Sequence, residues 1–342
     1  MFVVCSLGRN YRKDEDMPLK CASFFAGVGG IDIGFEGYDK KSDTFKVVYA
    51  NEFDKFPIKT YELNSSIKVD DRDIRDVTKD IDSIPDFDVM LAGFPCQAFS
   101  IAGYRKGFDD EKGRGTLFFE LLKIIRAKKP SIIFLENVKN LVSHNDGDTF
   151  NTIIDALKKE GYNMPKYAVL NAMTYGNCPQ NRERIYIVAF RDDDKAERFS
   201  FPEPITLEKK LSDIIDFNDK IDEKYYYTDG KYKGDIYDRL VAEVDSQDTV
   251  YQWRRRYVRK NKSGVVPTLT ANMGEGGHNV PLILSDTGIR KITPHECFNA
   301  QGFPEQFKLP KDMADSKLYK QAGNSVCVSV INRIASQIES VL

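Results

Sequence analysis

A cysteine set directly behind a proline, Pro95–Cys96 in GFPCQAFS, is the residue of this chain best suited to covalent chemistry. The thiolate is the nucleophilic form, so such a cysteine needs partial exposure and a favourable electrostatic setting. Pro95 fixes its own φ and stiffens the approach. A lone cysteine is more often a small core residue. The stretch after it, QAFSIAGYRKGFDDEKGRG, argues for the reactive reading: it is polar, rich in glycine and reads as a long loop. Long loops of this kind are usually functional lids.

Four other elements carry chemistry of their own. FAGVGG (Phe25–Gly30) follows an apolar run and opens a helix-like segment, the context of a ligand-binding turn. It lacks the GxGxxG spacing of dinucleotide binders, but its glycines permit positive φ and close approach to a ligand. Glu52, at the end of the next strand-like run, suits ribose hydroxyls, and Asp73 on the following turn suits an adenine amino group. A simple tight turn is the alternative. Glu136, in ENV, ends a very apolar run. Desolvation there raises a carboxyl pKa and suits it to proton donation, against the alternative of a helix cap or salt bridge. Arg182 and Arg184 alternate in QNRER, so both face one side of a strand. Arginine there binds a carbonyl oxygen or holds a carboxylate, although a surface role is commoner. GNSV (Gly323–Val326) is the last element.

These residues need a scaffold, and the first half of the chain has the pattern of one. Strand-like runs at Cys21–Phe25, Phe45–Ala50, Phe87–Ala92, Ser131–Leu135, Tyr167–Asn171 and Ile185–Phe190 alternate with helical spacing at Ile31–Tyr38, Gly115–Lys128 and Thr149–Glu160. This predicts an α/β fold with a mostly parallel sheet and helices on both faces. Ligands in such sheets bind beyond the carboxyl ends of strands, where the glycine turn, Glu52, Cys96 and Glu136 all fall. Beyond about Asp192 the alternation stops and charged and glycine-rich stretches take over. The expected division is an amino-terminal extension over 1–19, a catalytic and cofactor-binding domain over 20–196, a second domain over 197–300, and a segment over 301–342 that returns to the first as a helix from Val326 to Leu342.

With 342 residues the chain has room for one large and one smaller domain. No apolar run approaches membrane-spanning length. Six cysteines without a CxxC pair, and no secretion signal, read as reduced thiols in a cytoplasm. Three histidines far apart in sequence argue against a bound zinc, and no metal is expected. A net charge of −2 argues against broad capture of nucleic acid, but WRRRYVRKNK (Trp253–Lys262) packs six cationic side chains into one stretch. That is the footprint of one phosphate-facing surface, or else a solvated charge run.

Taken together, the elements resemble the cytosine-5 DNA methyltransferases of bacterial restriction-modification systems. The resemblance runs from Cys21 almost to the end of the sequence. FAGVGG looks like that family's motif I, GFPCQAFS like motif IV, ENV like VI, QNRERIYIVA like VIII, RKITPHE (Arg290–Glu296) like IX and GNSV like X. It implies a Rossmann-like S-adenosylmethionine-dependent domain, with S-adenosylhomocysteine as product, and a target recognition domain. It implies that Cys96 attacks carbon-6 of a flipped cytosine, that Glu136 engages ring nitrogen-3, and that Arg184, with Arg182 beside it, holds the base oxygen. It assigns Phe25, Ala26, Gly27, Gly29, Gly30, Glu52, Phe53, Asp73, Ile74, Pro95, Leu117, Asn324 and Ser325 to the cofactor pocket, Phe53 stacking on adenine. For DNA it points to Gln97, Ser100, Arg254, Arg255, Arg256, Thr268, Thr270, Asn272 and His278. The partner implied is double-stranded DNA, met by a cytoplasmic monomer that associates with the nucleoid when bound, alongside any cognate endonuclease without a stable complex. The recognition stretches lean toward a short GC-rich palindrome such as CCGG or CCNGG.

Three other readings are open to the sequence. An idle, DNA-binding repressor would lack the cysteine or the glutamate, and both are here. A transfer-RNA methyltransferase of the same fold would carry a Cys-Phe-Thr signature, absent here. A nicotinamide-dependent oxidoreductase needs another glycine spacing and gives Cys96 and Glu136 no role.

Overall fold

The structure, a computed structural model, describes residues 17–37, 41–95, 117–218, 220–232, 234–254, 256–273 and 280–342. Cys96, Gln97, Ser100, Arg255, His278 and the expected lid after Cys96 lie outside the described residues.

Six apolar runs pair into one sheet. They are β1 (Leu19–Phe24), β2 (Phe45–Asn51), β3 (Val89–Gly93), β4 (Ile132–Val138), β5 (Lys166–Asn171) and β7 (Glu183–Phe190). Their order across the sheet is β2-β1-β3-β4-β7-β5. β2, β1, β3 and β4 are parallel, and β7 runs antiparallel between β4 and β5. The mostly parallel α/β sheet expected from the sequence is therefore present.

Alternation along each strand divides the core between two faces. Met90, Ile133 and Leu135 join one cluster with Phe118, Leu121 and Leu157. These come from α3 (Leu117–Lys128) and α4 (Asp148–Lys159), whose buried residues recur at helical spacing. Val89, Leu91 and Phe134 face the other way, against Phe35, Ile331 and Ile334. Those belong to α1 (Gly30–Glu36) and α6 (Val328–Glu339). α1 and α6 cross closely: a Cβ at Gly34 would sit 2.5 Å from Ile331, and Asn332 donates its amide to the Gly34 carbonyl at 3.0 Å. Each fully buried Ile on α6 contributes about 1.5–3 kcal/mol of apolar burial, so this helix anchors the segment before it.

The later part of the chain forms a smaller sheet from β8 (Tyr251–Trp253), β9 (Val258–Lys260), β11 (Leu282–Ser285) and β12 (Gly288–Lys291), in the order β12-β11-β8-β9. Tyr227, Leu240, Trp253 and Leu282 pack in its own small core. A two-stranded parallel pairing of β6 (Gln180–Asn181) with β10 (Val266–Pro267) ties this part to the QNRER segment. In RKITPHE, buried Arg290 grips Glu296 with two hydrogen bonds of 2.7 and 2.8 Å, and Glu296 closes a capping box with Thr293. The short helix that Thr293 caps, Pro294–Asn299, packs on α5 (Asp315–Asn324), the helix that ends in Gly323 and Asn324.

Among the described residues no helix is long and apolar enough to cross a membrane.

Candidate functional site

The carboxyl ends of β1 to β4 converge on a cavity of about 640 Å³. Its floor is the glycine turn. Phe25 and Gly27 take positive φ of 53° and 56°, and Gly29 caps α1 at 85°. Gly27 has open space where a Cβ would stand, whereas Gly30 is pressed against Ser325 and Val326. Glycine at position 30 is thus what lets the GNSV segment close over the turn. Glu52 receives the Gly27 amide at 3.1 Å and the Asp54 amide at 2.9 Å, one on each carboxylate oxygen. Burial raises its pKa, and those amides offset part of the rise.

The side of the cavity that holds Glu136 is set by sheet register. Gly93 of β3 lies beside Glu136 of β4. Asn137 donates its amide to the Phe94 carbonyl at 2.7 Å, which pins the turn carrying Pro95 beside that strand. Glu136 is 8% exposed and is paired by Arg184 across the antiparallel β4–β7 ladder, Nε to Oε1 at 3.1 Å. Burial pushes the Glu136 carboxyl up, and Arg184 and then Arg182 pull it back. A buried acid that holds its proton above the usual carboxylate range, beside a cation that can steady the ionised form, is suited to passing a proton to a ring nitrogen.

Of the residues expected at the cofactor pocket, Phe25, Ala26, Gly27, Gly30, Glu52, Phe53, Pro95, Asn324 and Ser325 line this cavity, as do Glu136 and Arg184. Gly29, Asp73, Ile74, Leu117 and Arg182 do not line it. Gly29 backs onto the Tyr61 ring, 3.0 Å from where its Cβ would be. Asp73 caps a single helical turn by accepting from the Arg75 amide at 2.9 Å. Ile74 and Leu117 are buried in the core behind it. Arg182 is buried at the junction of β6 and β7, close enough to Glu136 and Arg184 to act on both electrostatically. Its guanidinium donates to the carbonyls of Leu269 (2.8 Å), Gly323 (3.1 Å) and Ser325.

Several residues not expected at the cofactor pocket also line the cavity, Thr270 among them, which was expected at DNA. Leu269, Thr270 and Ala271 contribute a wall from the far end of the chain, and Phe56, Pro57, Lys317, Lys320 and Gln321 form the rim. The rim is assembled by Thr60 of α2 (Lys55–Asn64) donating to Gln321 of α5 at 2.7 Å. Behind the glycine turn, Asp32 of α1 is buried and accepts from Ser23 at 2.5 Å and Tyr61 at 2.7 Å, joining β1, α1 and α2. Apart from Leu269 and Thr270, which fall in a Thr-Leu element (Thr268–Thr270) expected at DNA, no local motif marks these.

Among residues expected at DNA, Thr268, Thr270, Asn272 and Arg256 are exposed or at the surface, while Arg254 is half-buried and bonds Gln252 at 3.0 Å. Thr268 donates to the Asn181 carbonyl at 2.6 Å and Thr270 to Asn272 at 2.6 Å.

The family model for C-5 cytosine-specific DNA methylases matches residues 19–340. The chain is 56% identical over 320 residues to the type II methyltransferase M.Bsp6I of Bacillus sp. (strain RFL6), across 94% of this chain and 98% of that one. It is 35% identical to M.HhaI of Haemophilus parahaemolyticus, across 96% and 97% respectively. Among solved structures the fold resembles the S. pombe Dnmt2 methyltransferase, with a TM-score of 0.69 at 18% identity over 94% of this chain and 99% of that one.

Proposed function

The chain belongs to the C-5 cytosine-specific DNA methylase family and is a DNA (cytosine-5-)-methyltransferase; from that premise we propose that it works through a covalent Cys96 adduct on a cytosine flipped out of a short duplex site. The observation that carries this reading is the Glu136–Arg184 pair, which lines the same cavity as Pro95, the chain neighbour of Cys96.

The Cys96 thiolate adds to carbon-6 while Glu136 delivers a proton to nitrogen-3, so the electron pair of the ring double bond collects at carbon-5. Arg184 holds the base oxygen and, by pairing with Glu136, steadies the carboxylate left behind. After transfer a base removes the carbon-5 proton, the double bond re-forms, the thiolate leaves and nitrogen-3 returns its proton to Glu136. A thiolate cannot reach carbon-6 inside a stacked duplex, so the base must be extruded.

The cavity fits S-adenosylmethionine. Its volume lies within the range of small-molecule sites, the open space above Gly27 allows close backbone approach, and the Glu52 oxygens retain lone pairs for ribose hydroxyls. When bound, this cofactor supplies the activated methyl group that carbon-5 accepts, leaving S-adenosylhomocysteine. Phe53, 64% exposed at the rim, offers a face for the adenine.

Residues 197–300 serve as the target recognition domain on a catalytic domain over 20–196, closed by 301–342. Arg254, Arg256 and the Thr268–Asn272 segment meet the DNA, the target being a short GC-rich palindrome. The role is the methylation half of a type II restriction-modification system, supported by the names of the relatives. A monomer in the bacterial cytoplasm suffices, since each strand can be methylated in a separate event.

The test is methyl transfer from labelled S-adenosylmethionine to unmethylated bacterial DNA, wild type beside Cys96→Ala, followed by bisulfite sequencing. Label in 5-methylcytosine at one short motif, absent in the variant, is expected. Equal transfer by Cys96→Ala sinks the covalent route, and label on transfer RNA instead of DNA sinks the substrate.

A further inference from the structure

Arg182 is a buried cation with an unusual set of partners. It is 2% exposed, and its hydrogen bonds go to three backbone carbonyls, from Leu269, Gly323 and Ser325. Among the described residues its Nε has no partner. A guanidinium presents its donors in a rigid planar fork, so three carbonyls converging on it must keep fixed relative positions. Two of them belong to the cavity wall that ends α5, and the third to the segment that continues into Thr270 and Asn272 at the surface.

The same junction is tight without Arg182. A Cβ at Gly323 would lie 2.2 Å from the Thr270 carbonyl carbon and 2.5 Å from the Ala271 nitrogen, so the two backbones touch. Pairing of β6 with β10 and the Thr268–Asn181 bond add a third strand of contact, on the chain segment that carries Arg182 itself. Leu269, Thr270, Ala271, Gly323, Asn324 and Ser325 line one cavity as a continuous surface.

We propose that Arg182 is a positioning residue that couples the two substrates. It locks the cofactor wall 323–325 to the DNA-facing segment 268–272, so that ordering either one by its ligand orders the other. This rests on the functional reading above, in which cofactor and DNA occupy the two sides of that junction. Coupling of this kind is reciprocal and amounts to roughly a 5- to 150-fold change in affinity in typical cases.

The experiment measures DNA affinity by fluorescence anisotropy of a labelled duplex, with and without saturating S-adenosylhomocysteine, and the affinity for S-adenosylhomocysteine alone by calorimetry. In the wild type, S-adenosylhomocysteine tightens DNA binding at least about 5-fold. In Arg182→Lys, which keeps the charge but loses the fork, that ratio falls to within about 2-fold of unity, and the single-turnover methylation rate with both ligands saturating falls less than the affinities do. Retained coupling in Arg182→Lys overturns the proposal, as does its absence in the wild type. A collapsed single-turnover rate with coupling intact also overturns it, and makes Arg182 a residue that touches the base. Should Arg182→Lys fail to fold, amide hydrogen exchange on the wild type decides: S-adenosylhomocysteine alone must protect the amides of Asn272 and Met273, and unchanged exchange there refutes the coupling. A wild type that does not methylate duplex DNA refutes the functional reading instead, whatever the ratio.

Discussion

Replacing Asp32 by asparagine should change how stability depends on pH, by an amount that follows from its surroundings. The Asp32 carboxyl is 4% exposed, and burial lifts its pKa from an ordinary 3.8 to about 6, against the opposing hydrogen bonds from Ser23 and Tyr61. In the unfolded chain the group titrates near its ordinary value, so the folded state binds a proton over a window in which the unfolded state has lost it. A raised folded pKa contributes stability that is fully present below the unfolded pKa and is lost as pH rises through the folded one. At about 1.36 kcal/mol for each pH unit, the full effect is about 3 kcal/mol, of which about 2 kcal/mol is lost between about pH 4.5 and about pH 7.5. The carboxamide of the Asp32→Asn variant cannot titrate. Urea unfolding, read by circular dichroism and by Trp253, the sole tryptophan, should give a wild-type-minus-variant stability that falls by that amount over the window. A difference flat within roughly 0.5 kcal/mol would refute the reasoning, since it would mean the carboxyl has the same pKa folded and unfolded.

Two further outcomes follow. Glu136→Gln should slow the single-turnover methylation rate by about 10²- to 10³-fold; the wild-type rate should fall as pH rises past the elevated Glu136 pKa, and in Arg184→Ala that alkaline limb should move to higher pH, because the cation that lowers the pKa is gone. Gly34→Val should cost about 2–3 kcal/mol of stability by overpacking, since its Cβ would lie 2.5 Å from the Ile331 side chain, and calorimetry should show weaker S-adenosylhomocysteine binding as α6 shifts; an unchanged melting temperature would show that the two helices give way freely.

The sheet was legible because its strands are apolar runs, four of which stop at glycine, asparagine or glutamate, a signal confined to a few neighbouring residues. Glu52, Glu136 and the glycine turn were legible for the same reason: each ends such a run. α2 was not, because Pro57 interrupts its pattern and only two of its residues are buried. α5 was hidden because its last turn is the Gly323–Asn324 pair, which reads as loop. The strands of the smaller sheet are three or four residues long, too short for alternation to register. The residues whose surroundings could not be read from sequence share one property. Whether Asp73 turns toward a ligand or caps its own helix, and whether Arg182 faces a substrate or a set of carbonyls, depends on which distant segments arrive beside them. For Arg182 those are Leu269 and Ser325, and nothing near residue 182 records that. The cavity walls at Leu269–Ala271 and Lys317–Gln321 were invisible for the same reason.

The packing of α6 on α1 also has a consequence for synthesis. Gly30 and Gly34, near the start of the chain, are matched to Ser325, Val326 and Ile331, some three hundred residues later. The partners of the glycine turn emerge from the ribosome only after the sheet, the smaller sheet and α5 have been made. At about 5–20 residues per second, the turn waits on the order of fifteen seconds to a minute without its wall, while contacts of such separation also slow folding. A nascent chain therefore carries Glu136 and Cys96 long before Ser325 and Val326 can close on Gly30, and a polypeptide cut short before α6 would have those two residues without the helix that anchors them on α1. Closure of the glycine turn thus comes after synthesis of α6.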